Sequence, residues 1–363
     1  MTDEPTVVRV SLAERSYEIH IGSNVNAAAG LLVAMQMGSR HAVIVTDPNV
    51  RQPHAERVMQ SLTEAGVRVD GLMVAAGEQT KSPEQLVRLW NELLETGADR
   101  KSVIVAVGGG VIGDLAGFLA ATYTRGLRFL QVPTTLLAMV DSSVGGKTGI
   151  NLPTAKNMVG AFWQPTAVLI DTETLSTLPE REYRSGLAEV VKYGVILDAN
   201  FFEYLEANVD GLLKRDPEVL KTIIARSCWL KAGVVEQDER EESGLRAVLN
   251  YGHTYCHAIE AVAGYGQYLH GEAVAIGMVC ASRLAESLGR IDHRTTERQE
   301  QLLAKLGLPT AVLGLDDDEL IAVMRHDKKV EHGQLRFVLP TKLGHVELVG
   351  GVDPQAARAA LHS

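Results

Sequence analysis

The chain has 363 residues, is 46% hydrophobic and 22% charged, and carries a formal net charge of −10. That length exceeds what one ordinary core serves, so two domains are expected, and the acidic balance argues against nucleic acid or an anionic membrane as partner. Cys228, Cys256 and Cys280 form no CxxC pair, Met1–Pro5 lacks the basic and apolar regions of a secretory signal, and no apolar run reaches the ~20 residues of a membrane span, all of which fits a reducing, cytoplasmic setting without disulfides or a zinc finger.

Taken in chain order, His41–Thr46 reads as a buried strand ending at Asp47 and Pro48. Pro53–Ala65 reads as a helix stopped by Gly66, Val67–Val74 as a second strand, and Pro83–Thr96 as a helix stopped by Gly97. Ser102–Val107 is a third strand running into three glycines, and Phe129–Val132 and Ala167–Ile170 are further short strands. Strands alternating with helices imply a parallel sheet covered on its faces. Beyond Thr177 helical spacing dominates: Pro179–Leu197, Phe201–Leu213, Pro217–Val235, Leu249–Val262, Glu272–Leu288 and Arg294–Leu306, with Asp316 as N-cap of a helix through Glu319–Met324. Arg336–Leu339 and His345–Val349 suggest a terminal hairpin. The expected organisation is an α/β domain over 1–178 and a mainly α-helical domain over 179–363.

The third strand leads into Gly108-Gly109-Gly110-Val111-Ile112-Gly113, a GxGxxG string. Glycine permits positive φ and close backbone approach to a pyrophosphate. The acidic residue expected about 20 positions on is absent, since that stretch reads Gln131-Val132-Pro133-Thr134. Asp47 could serve a ribose instead, and Gly77-Glu78-Gln79-Thr80-Lys81 is a second polar loop suited to a nucleotide edge. Gly145-Gly146-Lys147-Thr148 resembles the end of a phosphate loop, but position 141 is Asp where that loop needs glycine, which argues against an ATPase.

His253 and His257, four apart on an expected helix, share a face. Position 254 is Thr, so this is no HExxH protease motif. His270 opens the next helix, and Glu189 sits in the apolar run Leu187–Val191, where a carboxylate is costly unless paired or metal-bound. Two histidines and a carboxylate with a fourth position open describe a catalytic zinc site; spacing alone leaves open which histidines ligate, and each could instead be a hydrogen-bonded cleft residue. Lys147, Lys156 and Asn157, placed in loops flanked by glycine, together with Arg125, Lys231, Arg246, Lys328 and Lys329, suggest an anion site in an otherwise acidic chain.

Four strings, Gly108–Asp114, Asp141-Ser142-Ser143-Val144-Gly145-Gly146-Lys147-Thr148-Gly149, Leu249-Asn250-Tyr251-Gly252-His253-Thr254 and His270-Gly271-Glu272-Ala273, together resemble the 3-dehydroquinate synthase family, and the likeness runs from about Asp47 through the hairpin after Lys329. The resemblance implies a nucleotide-binding α/β domain, a mainly helical metal domain, and an active site between them. It assigns zinc, or cobalt in its place, to Glu189, His253 and His270, and proton handling to His257. It assigns NAD to Asp47, Glu78, Gln79, Lys81, Gly109, Gly110, Val111, Ile112, Gly113, Asp114, Thr134, Thr135, Asp141, Lys147, Lys156, Thr174, Leu175 and Thr177. Catalytic or substrate contacts fall to Lys147, Asn157, Lys192, Lys231, Arg246, Asn250 and one of Lys328 and Lys329. Arg125 matches a residue that reaches the neighbouring subunit's site, which implies a homodimer. One departure is the stretch Glu241-Glu242-Ser243-Gly244, one residue longer than the family's usual acidic loop before Arg246.

The implied reaction converts 3-deoxy-D-arabino-heptulosonate 7-phosphate to 3-dehydroquinate and phosphate, in the shikimate route to aromatic amino acids, with NAD reduced and reoxidised within the turnover. A metal-dependent polyol dehydrogenase shares such a fold and ligand set, but needs no phosphate cluster and releases NADH. A sister sugar phosphate cyclase tends to diverge around Leu249-Asn250 and the late lysine. A catalytically dead NAD-binding scaffold would not need to retain every ligand and cation.

Overall fold

The computed structural model describes residues 4–153, 155–264, 266–326 and 335–362. The chain divides into two compact units, Met1–Leu178 with Leu220–Arg240, and Pro179–Val219 with Glu241–Ser363. Lys328 and Lys329 lie outside the described residues. Among those described, no helix is long and apolar enough to cross a membrane.

The first unit is built on a seven-stranded sheet. Its strands are β1 (Thr6–Val10), β2 (Tyr17–Gly22), β3 (His41–Thr46), β4 (Arg68–Met73), β5 (Val103–Gly108), β6 (Arg128–Pro133) and β9 (Ala167–Asp171), in the order β1-β2-β9-β6-β5-β3-β4. Only the β1–β2 pair is antiparallel. Alternation along β5 shows how both faces are covered. Val103, Val105 and Val107 join one cluster with Val58 and Leu62 of helix α1 (Glu56–Glu64). Ile104 and Ala106 join the other, with Leu86, Leu89 and Leu93 of α2 (Pro83–Glu95) and Ile112, Leu115 and Leu119 of α3 (Gly110–Thr122). A strand buried on both faces reads as a continuous apolar run, which is why the central strands were legible in the sequence.

Two hairpins were not. β1–β2 adds to the sheet through the parallel pairing of β2 with β9, Ile19 opposite Val168. The stretch holding Lys147, Lys156 and Asn157, expected as loops, is instead an antiparallel pair, β7 (Lys147–Leu152) and β8 (Ala155–Phe162). Its glycines serve close packing between the strands: a Cβ on Gly160 would lie 2.1 Å from the Thr148 carbonyl oxygen, so glycine marks backbone approach here.

The second unit is mainly helical, with α4 (Glu180–Leu197), α5 (Ala199–Ala207), α7 (His253–Ala263), α8 (His270–Ser287), α9 (His293–Lys305) and α10 (Asp317–His326). Helix α6 (Pro217–Gln237) starts in this unit and groups with the first from Leu220. Asp316 caps α10 by accepting the Glu319 N–H at 3.0 Å. The helix expected from Leu249 begins only at His253, because Gly252 adopts φ +78°, and the one expected over Phe201–Leu213 breaks at Asn208. β10 (Arg336–Lys342) and β11 (His345–Gly350) form the terminal hairpin.

Candidate functional site

Within the first unit, parallel pairing aligns the C-terminal ends of β9, β6, β5, β3 and β4 along one edge of the sheet. Ligands of open α/β sheets bind outside such ends. Asp47 follows β3, Glu78 and Gln79 follow β4, Gly109 follows β5, Thr134 and Thr135 follow β6, and Thr174, Leu175 and Thr177 follow β9. Gly109 to Gly113 have no positive φ. Proximity accounts for glycine at the start of the string: a Cβ on Gly108 would sit 2.5 Å from Ile112 Cγ1, and one on Gly110 would crowd the Ser142 hydroxyl at 3.0 Å, whereas Gly113 has room. The N-terminus of α3 thus presents bare backbone N–H groups, suited to a pyrophosphate. The buried hydroxyls of Thr46 and Thr134, at the ends of β3 and β6, have no hydrogen-bond partner among the described residues, so the edge offers groups a nucleotide can satisfy.

Lys81 ties several expected residues together. Its Nζ donates to Asp114 Oδ2 at 2.7 Å and to Asn157 Oδ1 at 2.6 Å, and lies 3.5 Å from Glu78 Oε1. Asn151, not singled out in the sequence, closes the cluster by donating to Glu78 Oε1 at 2.8 Å and accepting the Asn157 N–H at 2.8 Å. Burial works against the Lys81 charge, but Asp114 and Glu78 outweigh it and hold its pKa above the ordinary value. Asn157, expected on the substrate, therefore sits with the residues expected on NAD. Lys231 is likewise committed: its Nζ donates to Asp141 Oδ1 at 2.6 Å and to the Asp141 carbonyl at 2.8 Å. Lys147 opens β7 and is exposed, Lys156 is on β8, and Arg125 is exposed with φ +70°.

In the second unit, three segments distant in sequence converge. Glu189 comes from α4, His253 from the first turn of α7 and His270 from the first turn of α8, with ligand atoms within 4.8 Å of one another. Nε2 of His253 and of His270 lie 3.6 and 3.7 Å from Glu189 Oε1. Glycines make this convergence possible. A Cβ on Gly271 would fall 1.8 Å from the Ser185 carbonyl oxygen, and one on Gly277 2.2 Å from that of Gly252, so α8 packs backbone-close against α4 and the start of α7. The Gly271 N–H donates to the Ser185 hydroxyl at 3.0 Å, and Glu272, held by Arg181 at 2.7 Å, accepts the Leu269 N–H.

Glu189 is wholly buried, and neither of its carboxylate oxygens accepts a hydrogen bond among the described residues. The ammonium of Lys192, one turn on, forms an ion pair with it. His253 Nδ1 donates to the Tyr251 carbonyl at 3.0 Å, turning Nε2 toward Glu189. Burial, with Lys192 and the other two imidazoles adding to it, lowers the His253 pKa well below its ordinary value and keeps the ring in the neutral form a metal requires. A buried carboxylate facing two imidazole nitrogens fits a divalent ion.

His257 lies next to this triad, its ring edge-on to His253 at 5.7 Å, and is exposed. Asn250 is half-buried, and Arg246 is buried with Nε 3.5 Å from Glu241 Oε1. Glu260 and Cys256, beside His270, were not singled out in the sequence; the i, i+3, i+7 spacing from His253 was the available signal.

Family models for the N-terminal and C-terminal parts of 3-dehydroquinate synthase match residues 71–185 and 186–330. A 3-dehydroquinate synthase of Rhodopirellula baltica is 52% identical, covering 99% of this chain and 98% of that protein. Among solved structures, 2-deoxy-scyllo-inosose synthase complexed with carbaglucose-6-phosphate, NAD+ and Co2+ superposes with a TM-score of 0.90 at 27% identity, covering 98% and 99% of the two chains. The 2-epi-5-epi-valiolone synthase of Streptomyces hygroscopicus with NAD+ and Zn2+ gives 0.88 at 29% identity, covering 97% of each.

Proposed function

Because this chain belongs to the 3-dehydroquinate synthase family, we infer that it converts 3-deoxy-D-arabino-heptulosonate 7-phosphate into 3-dehydroquinate and inorganic phosphate, as a carbon–oxygen lyase of aromatic amino acid biosynthesis. The observation that carries this reading is the convergence of Glu189, His253 and His270. These three would hold zinc or cobalt, and the strand ends at Asp47, Glu78, Gly109–Asp114, Thr134 and Thr174–Thr177 would hold NAD. When bound, the metal supplies Lewis acidity to a substrate hydroxyl, and NAD supplies a hydride acceptor regenerated within the turnover.

The protein's own groups do the rest. His257, exposed beside the triad, takes the hydroxyl proton. Lys192 offsets the Glu189 charge and faces substrate oxygens. Lys147 and Lys231 attract the phosphate as point charges, and Arg246 forks the carboxylate. Asn250 orients a substrate hydroxyl, and Asn157, accepting from Lys81, belongs with the groups that would hold NAD. A ketone two carbons from the phosphate-bearing carbon acidifies the C–H between them; that proton passes to a phosphate oxygen, its electron pair forms a C=C bond, and the C–O bond breaks as phosphate leaves. The later ring opening and aldol closure need little beyond a pocket that holds one conformer. Arg125, by its match to the family, completes the site of a second copy in a cytoplasmic homodimer.

The test is to supply the heptulosonate phosphate with a trace of NAD and zinc. Stoichiometric phosphate and dehydroquinate without accumulating NADH is the expected outcome. NADH accumulating without phosphate would mean a polyol dehydrogenase, and turnover only of another sugar phosphate a sister cyclase.

A further inference from the structure

His270 has two ring nitrogens, and the structure engages both. Nε2 lies 3.7 Å from Glu189 Oε1, and Nδ1 lies 3.5 Å from Glu260 Oε1. The ring is held between two carboxylates at opposite edges. Cys256, one turn before Glu260 on α7, packs beside the same edge with Sγ 3.8 Å from Nδ1, and its thiol is oriented to donate to the His270 carbonyl at 3.9 Å. Glu260 is largely buried, its side chain 11% exposed, so its charge acts in a poorly screened setting.

We propose that Glu260 is a positioning residue for His270: its carboxylate accepts the Nδ1–H and so fixes the ring orientation and the tautomer that leaves the Nε2 lone pair for the metal. This rests on the reading of Glu189, His253 and His270 as a metal site. A neutral imidazole carries its proton on one nitrogen or the other, and only the deprotonated nitrogen can ligate. At His253 the choice is made by the Tyr251 carbonyl, 3.0 Å from Nδ1. At His270 the Glu260 carboxylate lies 3.5 Å from Nδ1, with Cys256 Sγ beside it at 3.8 Å. Helix α7 thus supplies both a ligand, His253 in its first turn, and, two turns later on the same face, the group that orients the ligand from α8. A carboxylate behind a ligating imidazole also raises its basicity, and loss of such a partner typically weakens metal binding 10–100-fold.

The test uses the full chain, stripped by a chelator and titrated with Zn2+ against a chromogenic competitor, and with Co2+ followed by its visible spectrum. Glu260→Met keeps the side-chain volume and removes the acceptor; Glu260→Gln keeps an oxygen that accepts Nδ1–H. The expected result is about 10–100-fold weaker Zn2+ binding in Glu260→Met with an altered Co2+ spectrum, and recovery of most of that loss in Glu260→Gln. Unchanged affinity and spectrum in Glu260→Met would overturn the proposal. So would a second ion in the wild type that disappears in both variants, because Cys256, Glu260 and His270 would then form a metal site themselves. Should Glu260→Met fail to fold, Glu260→Ala takes its place, with the same expected loss, the same recovery in Glu260→Gln, and unchanged affinity again overturning the proposal. A wild-type chain that takes up no ion would sink the metal reading itself, a result distinct from normal wild-type binding with no effect at position 260.

Discussion

The ammonium of Lys192 forms an ion pair with the carboxylate of Glu189 one turn earlier on α4, with the carboxylate shut off from water and the lysine side chain 2% exposed. A buried ion pair is weak evidence for stability, but breaking it by removing one partner leaves an uncompensated charge.

Lys192→Met should therefore destabilise the metal-free chain by about 3–5 kcal/mol. Saturating zinc should restore much of that, because a cation again faces Glu189. Thermal melts with and without metal check this, and a metal-free melt equal to that of the wild type would show that the pair carries no such energy.

His253→Ala should remove bound metal and turnover together, measured as metal content by elemental analysis and phosphate release. In the proposed site His253 would be one of three protein ligands among the described residues, and a catalytic zinc site with an open position tolerates no further loss. A variant that keeps both metal and activity would take His253 out of the ligand set.

Gly271→Ala should cost about 1–3 kcal/mol, since the added carbon would meet the Ser185 carbonyl oxygen at 1.8 Å. Displacing the first turn of α8 moves His270, so metal affinity should fall too. Gly233→Ala on α6 is the control: nothing lies within 4 Å of its added carbon, and helix propensity predicts a gain of up to about 1 kcal/mol. Equal melts for the two variants would mean that the α4–α8 contact yields easily.

His54 predicts a pH effect. Its Nε2 lies 2.7 Å from Thr177 Oγ1, and burial, helped by Arg57, lowers its pKa from the ordinary 6.5. Between the folded value and 6.5 the unfolded chain binds more protons, so stability rises with pH across that window. The contribution is fully present above about 6.5 and is lost as pH falls toward the folded value. Denaturant melts over a pH series should show this slope in the wild type and a flatter one in His54→Gln; identical slopes would assign the dependence elsewhere.

The sequence by itself determined what depends on neighbours along the chain. Apolar runs marked the central strands because both faces of each are covered, and 3.6-residue spacing marked the helices. The glycine string marked the turn from β5 into α3, and the four-residue spacing put His253 and His257 on one face. Only the tertiary structure decided what depends on residues far apart in sequence. It joined β2 to β9, turned the Lys147 and Lys156 stretches into strands, gathered Lys81, Asp114 and Asn157, and brought Glu189 within reach of His253 and His270. Periodicity reports which face of an element is apolar, whereas a metal ligand set or an ion-pair cluster is defined by distances between faces of different elements, here set by close backbone contacts such as that of Gly271 with Ser185.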